Sequence, residues 1–359
     1  MEKFAFIIHP INVRRDVARK YPIARYLPEP WVAAALPWIK PKRVSHITGI
    51  RSTGTGTEAE GWFIACPLTP HQLLNLPLET VYRKLTECGK MAEDLGAKVL
   101  GLGALTSVVG DGGKTIAERL AIPVTTGNSY TVATAVEGAK RGAALMDTPI
   151  REATVAIVGA GGSIGQTCTL LMAKEAARLV LVGRNREKME PVAAAAQQLC
   201  PEVTVTENVA TGLADADVVI TVTSAVDAVI EPGYLKRGSV VCDVARPRDV
   251  SVRVQKERPD VLVLEGGVVA VPGDVDFRFD FGFPPRTAYA CMSETMLLAL
   301  ERRYESFTLG KEVSVAQAEE MTRLATQHGF RLAGFRSFER AVTDDYIASV
   351  RRAAGKKPK

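Results

Sequence analysis

Short apolar runs alternate along this chain with longer stretches of helical period. The runs Phe4–Ile8, Val44–Ile50, Trp62–Ala65 and Lys98–Leu102 have the length and composition of strands. Arg51–Gly61, between the second and third, is rich in Gly and Thr, as a hairpin or mobile loop requires. Leu78, Val81, Leu85, Cys88, Met91 and Leu95 recur at helical spacing. A second helix is predicted over Thr131–Met146, with Asn128 and Ser129 as N-cap candidates. Asp147-Thr148-Pro149 reads as a turn and a domain boundary. Beyond it the pattern becomes regular. Thr154–Val158, Leu179–Val182, Val203–Thr206, Val218–Val222, Val240–Val244 and Val261–Leu264 read as strands separated by helix-length segments. Such alternation predicts a parallel, doubly wound sheet. After Pro284-Pro285 the chain is predicted helical to about Arg302, and again over Val315–His328.

Directly after the strand Thr154–Val158 stands Gly159-Ala160-Gly161-Gly162-Ser163-Ile164-Gly165. Glycines at 159, 162 and 165, with Gly161 added, suit a tight turn, a close backbone approach to a pyrophosphate, and close packing of helix on strand. The helix that follows offers its N–H groups and positive dipole end to phosphate. A strand before and a helix after is the context that gives such a loop meaning. The second strand ends in Val182-Gly183-Arg184-Asn185-Arg186, with no acid before Glu187. An acid there would hold the ribose 2′-hydroxyl of NAD, whereas an arginine accommodates the 2′-phosphate of NADP. The cofactor is therefore expected to be NADP(H). Its contacts are expected from Gly159, Gly161, Gly162, Ser163, Ile164, Gly165, Arg184, Asn185, Arg186, Thr223, Gly266 and Gly267, with Arg184 the better clamp and Arg186 open to a reading as a solvated helix-start residue. The fold expected is α/β: an N-terminal α/β substrate domain over 1–148, a Rossmann-type NADP domain over 149–283, and a C-terminal helical segment over 284–359 packing back on the cleft.

Composition narrows the class further. The chain has 359 residues, 47% hydrophobic and 24% charged, and no apolar run of the roughly 18–20 residues an integral membrane span needs. Met1–Pro10 reads as a first strand, not a signal peptide. The six cysteines, at 66, 88, 168, 200, 242 and 291, form no CxxC pair, and the four histidines are dispersed. Neither a metal site nor a disulfide framework is expected, and the protein is expected to be cytoplasmic. The net charge of +5 is mild, with much of it in Arg351-Arg352 and Lys356–Lys359, which read as a solvated end. The basic residues show no aromatic interleaving and no nucleic-acid motif, so nucleic acid is not an expected partner.

Several blocks resemble the long-chain acyl-(acyl-carrier-protein) reductases known from cyanobacteria. They are Gly101–Val109 (GLGALTSVV), Thr125-Thr126-Gly127-Asn128, the loop Gly159–Gly165, Gly266-Gly267-Val268-Val269, and Ala290-Cys291 with Glu294 and Met296-Leu297-Leu298. The similarity runs with gaps over most of residues 95–330, and more loosely before that. The resemblance implies NADPH-dependent reduction of a fatty acyl thioester to an aldehyde, through a cysteine acyl-enzyme at Cys291. The carrier would be acyl carrier protein or coenzyme A. Asn128 would be an oxyanion donor or substrate anchor, unless it is a helix N-cap. Glu294, one helical turn after Cys291, would relay protons or orient the thiol, unless it merely lines the core. A helix starting at Pro284-Pro285 would place Cys291 about two turns in, past the strongest dipole effect. Where the family has Thr-His after the Asn, this chain has Ser129-Tyr130, so no inherited histidine serves proton transfer. The segment Asp274–Pro285 also differs in detail, and chain-length specificity does not carry over.

Two other readings compete. A shikimate- or quinate-type dehydrogenase would share the nucleotide domain, but the Asn-x-Thr-x-Pro-x-Lys segment of such enzymes is missing. An inactive NADP-binding sensor is the non-enzymatic alternative. Oligomeric state is left open by the sequence.

Overall fold

A computed structural model describes residues 1–10, 13–18, 21–225, 227–245, 247–280, 282–310 and 312–357. The strands are β1 Glu2–Ile8, β2 Lys42–Arg51, β3 Glu58–Ala65, β4 Leu100–Gly101, β5 Val124–Thr125, β6 Thr154–Val158, β7 Arg178–Val182, β8 Glu202–Thr206, β9 Val218–Thr221, β10 Val240–Asp243, β11 Leu262–Glu265, β12 Val268–Ala270, β13 Gly273–Asp276 and β14 Thr287–Tyr289. The helices are α1 Val13–Ala18, α2 Glu29–Ala35, α3 Pro70–Asn75, α4 Leu78–Asp94, α5 Lys114–Glu118, α6 Asn128–Leu145, α7 Ser163–Ala173, α8 Arg186–Ala196, α9 Val209–Leu213, α10 Val252–Glu257, α11 Ala290–Leu300, α12 Val315–His328 and α13 Asp344–Ala353.

Packing divides the chain into two units. The first comprises Met1–Gly127, Val271–Lys311 and Arg323–Phe330; the second comprises Asn128–Ala270, Glu312–Thr322 and Arg331–Lys359. These limits differ from the boundaries at 148 and 283 expected from the sequence. The reason is α6. Its buried face is built of Val132, Ala135, Ala139 and Ala143, in one cluster with Val155 and Ile157 of β6. A Cβ on Gly142 would stand 2.6 Å from Leu264 Cδ1, so this helix lies against the parallel sheet at the distance only glycine permits.

In the first unit a mixed sheet has the order β13-β2-β3-β1-β4-β5. β1 runs parallel to β3 and β4, β4 parallel to β5, and β2 antiparallel to β3 and β13. Alternation along β1 sends Ala5 and Ile7 to one face, where they join Val81, Leu85 and Cys88 of α4. Phe4 and Phe6 point to the other face, the side on which α11 packs: a Cβ on Gly101 would meet Thr295 Oγ1 of α11 at 2.1 Å and the Phe6 ring at 2.4 Å. The β2–β3 hairpin loop is fastened by a fully buried histidine. His328 sets Nδ1 2.9 Å from Ser52 Oγ and Nε2 2.8 Å from Glu301 Oε2.

The second unit holds six parallel strands in the order β11-β10-β9-β6-β7-β8. Read from the far edge this is the Rossmann order 3-2-1-4-5-6. The strands are apolar because helices cover both faces; Val155, Ala156 and Ile157 have no exposure at all.

The C-terminal region departs from the all-helical expectation in two places. Arg286 adopts a left-handed backbone (φ 61°) and its carbonyl accepts from Val271 N–H at 2.8 Å. The chain then stays extended through β14, so α11 begins at Ala290 and not near Pro285. Beyond α12, Arg331-Leu332 pairs with β12 and Arg336-Ser337 with Arg340-Ala341. The expected solvated tail is also corrected. Arg351 is buried, donates to Leu145 O at 2.7 Å and pairs with Asp147, and Lys356 donates to Thr148 Oγ1 at 3.0 Å. Cations so placed satisfy the last carbonyls of α6. Pro358 and Lys359 lie outside the described residues, as does Phe281 of the Asp274–Pro285 segment.

Candidate functional site

Because α11 starts at Ala290, Cys291 occupies the second position of the helix, inside its first turn. The dipole and the free N–H groups that the sequence reading placed two turns away therefore act on it directly. Cys291 is partly exposed, whereas the other five cysteines are buried. Burial pushes the Cys291 thiol up to about 12, and the charge of Glu294 adds to the rise; the N–H groups of Met292, Cys291 and Ala104 pull the other way. At neutral pH the group rests as a thiol.

The Ala104 amide, which favours the Cys291 thiolate, belongs to an unusual backbone. Ala104 sits at φ 48°, left-handed for a residue with a Cβ. Two hydroxyls hold it there. Thr106 Oγ1 donates to Gly103 O at 2.8 Å and accepts from Gly103 N–H at 3.0 Å. Ser107 Oγ donates to Ala104 O at 2.7 Å. Gly103 itself has no room for a side chain, since a Cβ would lie 2.4 Å from the Phe6 ring. The GLGALTS block thus becomes a pinned turn that presents one N–H to Cys291. The sequence quoted these residues only as a pattern, and Ala104 gave no signal of its own.

On the other side stands Gly127, at φ +76°. A Cβ there would lie 2.3 Å from Cys291 Cα and 2.4 Å from Cys291 Cβ. The neighbouring Thr126 has a buried hydroxyl without a hydrogen-bond partner among the described residues. Glu294 is buried, and its Oε1 accepts from Thr125 Oγ1 at 2.5 Å and Thr308 Oγ1 at 2.9 Å. Its visible work is to tie α11 to β5 and to the loop at Thr308.

Asn128 opens α6 and does not precede it, so it is not the N-cap that the sequence offered as the alternative; it is buried. Tyr130 is also buried. Burial, helped by the charge of Glu137, pushes its phenol well above the usual range, so it stays protonated.

In the second unit the glycine loop has the geometry a pyrophosphate needs. Gly159 is left-handed at φ +89°, and a Cβ on Gly165 would lie 2.2 Å from Gly159 O. Gly162 is the N-cap of α7 and has no side chain to cap it. The N–H groups of Ser163, Ile164 and Gly165 precede the first bond of the helix, which Gln166 N–H makes to Gly162 O at 2.9 Å. Arg184 is exposed and makes no ion pair among the described residues. Arg186 is also exposed and pairs with Glu190 at 2.9 Å, one turn along α8. Asn185 caps α8 by accepting from Lys188 N–H at 3.0 Å. Lys188 was missed by the sequence reading. Its Cβ stands 3.3 Å from where a Gly161 Cβ would be, so the exposed Lys188 side chain starts beside the glycine loop.

Thr223 is spoken for locally. Its N–H donates to Asp249 Oδ2 at 2.9 Å and its hydroxyl to Asp249 Oδ1 at 2.5 Å, while Thr221 Oγ1 donates to the same carboxylate at 2.5 Å. Asp249, buried and unforeseen, therefore shapes the loop at the carboxyl end of β9. Gly266 and Gly267 also have local reasons: a Cβ on Gly266 would meet Cys242 Sγ at 2.8 Å, and Gly267 is left-handed at φ +75°.

The strand order and the glycine turn define an NAD(P)-binding domain of the dehydrogenase and reductase superfamily. Comparison with known proteins agrees, since the profile of the shikimate / quinate 5-dehydrogenase family matches residues 142–263. Two distant relatives extend further. The chain is 28% identical over 337 residues to a long-chain acyl-[acyl-carrier-protein] reductase of Synechococcus elongatus, covering 88% of this chain and 94% of that one. It is 30% identical over 305 residues to the aminotransferase PigE of a Serratia species, covering 84% of this chain but only 36% of PigE. Among solved structures, L-tryptophan dehydrogenase of Nostoc punctiforme aligns over 99% of this chain and 86% of its own at 13% identity, with a TM-score of 0.41, too low to argue from.

The contact between Gly127 and Cys291 makes a prediction. Gly127→Ala should destabilise the first unit by about 2–4 kcal/mol, combining left-handed strain with an immovable backbone clash. Thermal unfolding of wild type and variant measures it. A variant as stable as wild type would contradict the close approach.

Proposed function

We propose that this protein is an NADPH-dependent reductase that converts acyl thioesters to aldehydes through an acyl group held on Cys291. The observation that carries the reading is the placement of Cys291. It lies in the first turn of α11, partly exposed, where the backbone N–H groups of Met292, Cys291 and Ala104 favour the thiolate against the effect of burial. The long match to an acyl-[acyl-carrier-protein] reductase supports it.

In this reading the Cys291 sulfur attacks the thioester carbonyl carbon. The carrier thiolate leaves and takes up the proton that Cys291 gives up. The N–H groups of Ala104, Cys291 and Met292 stabilise negative charge on the sulfur as it enters and leaves bonding. The chemistry NADPH would supply, once bound, is a hydride to the acyl carbon. The bond from that carbon to Cys291 then breaks, aldehyde departs, and one proton restores the thiol. Ala104 and Gly127 hold the sulfur in place by backbone alone. Asn128 remains our candidate for the oxyanion, and Glu294 fixes the helix that carries Cys291. The carrier thiol would belong to acyl carrier protein or coenzyme A. Gly159–Gly165 would hold the pyrophosphate, and Arg184, with Lys188 nearby, the 2′-phosphate.

Two measurements test this. Incubated with a long-chain acyl thioester and no NADPH, the protein should gain the mass of one acyl group on Cys291, and Cys291→Ala should gain none. An adduct on another cysteine, or none with any thioester, would refute the assignment. Separately, Arg184→Ala should weaken NADPH by about 1.5–3 kcal/mol, roughly ten- to a hundredfold, and leave NADH nearly unchanged. Equal affinity of the wild type for the two cofactors would rule out a 2′-phosphate clamp.

A further inference from the structure

Trp38, Tyr26, Trp31 and Ile23 are 89%, 86%, 70% and 66% exposed. All stand between β1 and β2 of the first unit: Ile23 on the turn Pro22–Arg25, Tyr26 at its C-cap, Trp31 on α2 and Trp38 on the turn Leu36–Trp38. The segment has a small core of its own, made of Val13, Ala18, Ala24, Val32 and Leu36. Small aliphatic side chains therefore go in, and the large aromatic ones stay out. Nor is this a loose arm: Gln72 Nε2 donates to Ala33 O at 2.7 Å, and Lys84 Nζ to Ile39 O at 3.1 Å. Of the three tryptophans in the chain, only Trp62 is buried.

Charge concentrates in the same place. Residues 21–43 contain four Lys or Arg against one Glu, a net of +3 out of the whole chain's +5. The sequence reading put much of the excess in the C-terminal tail and saw no aromatic interleaving. Arg351 and Lys356 are instead tied to the end of α6, and here basic and aromatic residues do interleave. Arg25, Lys40, Lys42 and Arg43 are exposed and make no ion pair among the described residues; Lys42 Nζ lies 4.4 Å from the centroid of the Tyr21 ring.

We propose that residues 21–43 dock this protein on an anionic lipid surface. Trp and Tyr favour the boundary between headgroups and acyl chains, where an apolar ring and a polar tip are both satisfied. Lysine and arginine beside them attract anionic headgroups, and the two effects together give reversible attachment without a span. Among the described residues no helix is long and apolar enough to cross a membrane. An acidic protein would satisfy the cations. It would leave unexplained why the rings project from three separate turns and form no single packed face. The inference stands apart from the chemistry at Cys291.

The test is flotation of the full chain with vesicles of phosphatidylcholine alone and with vesicles rich in phosphatidylglycerol, with tryptophan emission read in parallel. The wild type should float only with the anionic vesicles, shift its emission to the blue, and be released by high salt. Trp31→Ser with Trp38→Ser should lose both binding and the shift, and Lys40→Glu with Lys42→Glu should lose binding. Unchanged thermal melts would show that these exposed changes leave the fold alone. Absence of flotation at low salt overturns the proposal, as does a double tryptophan variant that floats like wild type. A wild type that ignores vesicles while these tryptophans mediate self-association, or binding to acyl carrier protein, overturns it equally and assigns the patch to a protein partner.

Discussion

Backbone meets backbone where Gly127 passes Cys291, and the thiol site depends on that contact. A Cβ at 127 would lie 2.3 Å from Cys291 Cα, closer than any packing tolerates. Gly101 and Gly103 continue the same requirement: the first leaves room for Thr295 of α11, the second for the ring of Phe6. Three positions without side chains thus let the first turn of α11 settle against the ends of β4 and β5. Glu294, accepting from Thr125 and Thr308, pins it there. The Cα and Cβ of Cys291 are thus placed by main-chain packing.

The same close packing decides the protonation state. Stripping water from a thiolate raises its pKa, and the nearby charge of Glu294 raises it further. Against this stand three N–H groups and the end of a helix, whose dipole contributes about 0.3–1 kcal/mol in the first turn. Burial wins at rest. On our reading the arrangement protects a nucleophile until a thioester arrives, because the N–H groups that cannot ionise the free thiol are already in place for charge that develops during reaction.

Regular elements were legible because their periodicity is strong. β6 and α12 fall on the predicted residues, and all six strands of the parallel sheet lie within a residue or two of expectation. Asp147-Thr148-Pro149 misled, since a turn in sequence is not a boundary in packing: α6 carries Ala and Gly on its buried face and so belongs to the parallel sheet. The start of α11 was hidden for a different reason. Two prolines open a helix or precede an extended stretch with equal ease, and the left-handed Arg286 that chose between them is invisible in composition. Ala104, Asp249 and Lys188 were missed because their roles lie in backbone angle or in partners far along the chain. Arg351 read as tail because its acceptors, at 145 and 147, are about 200 positions away.

On the proposed mechanism, one acyl carbon bonds first to the Cys291 sulfur and then receives the hydride. The most direct measurement starts from isolated acyl-Cys291 enzyme, freed of thioester, and adds NADPH carrying deuterium at the transferable C4 position. Aldehyde released in that single turnover should carry one deuterium at its carbonyl carbon, and the enzyme should return to its unmodified mass. Unlabelled aldehyde, or an acyl-enzyme that NADPH fails to discharge, would contradict the account.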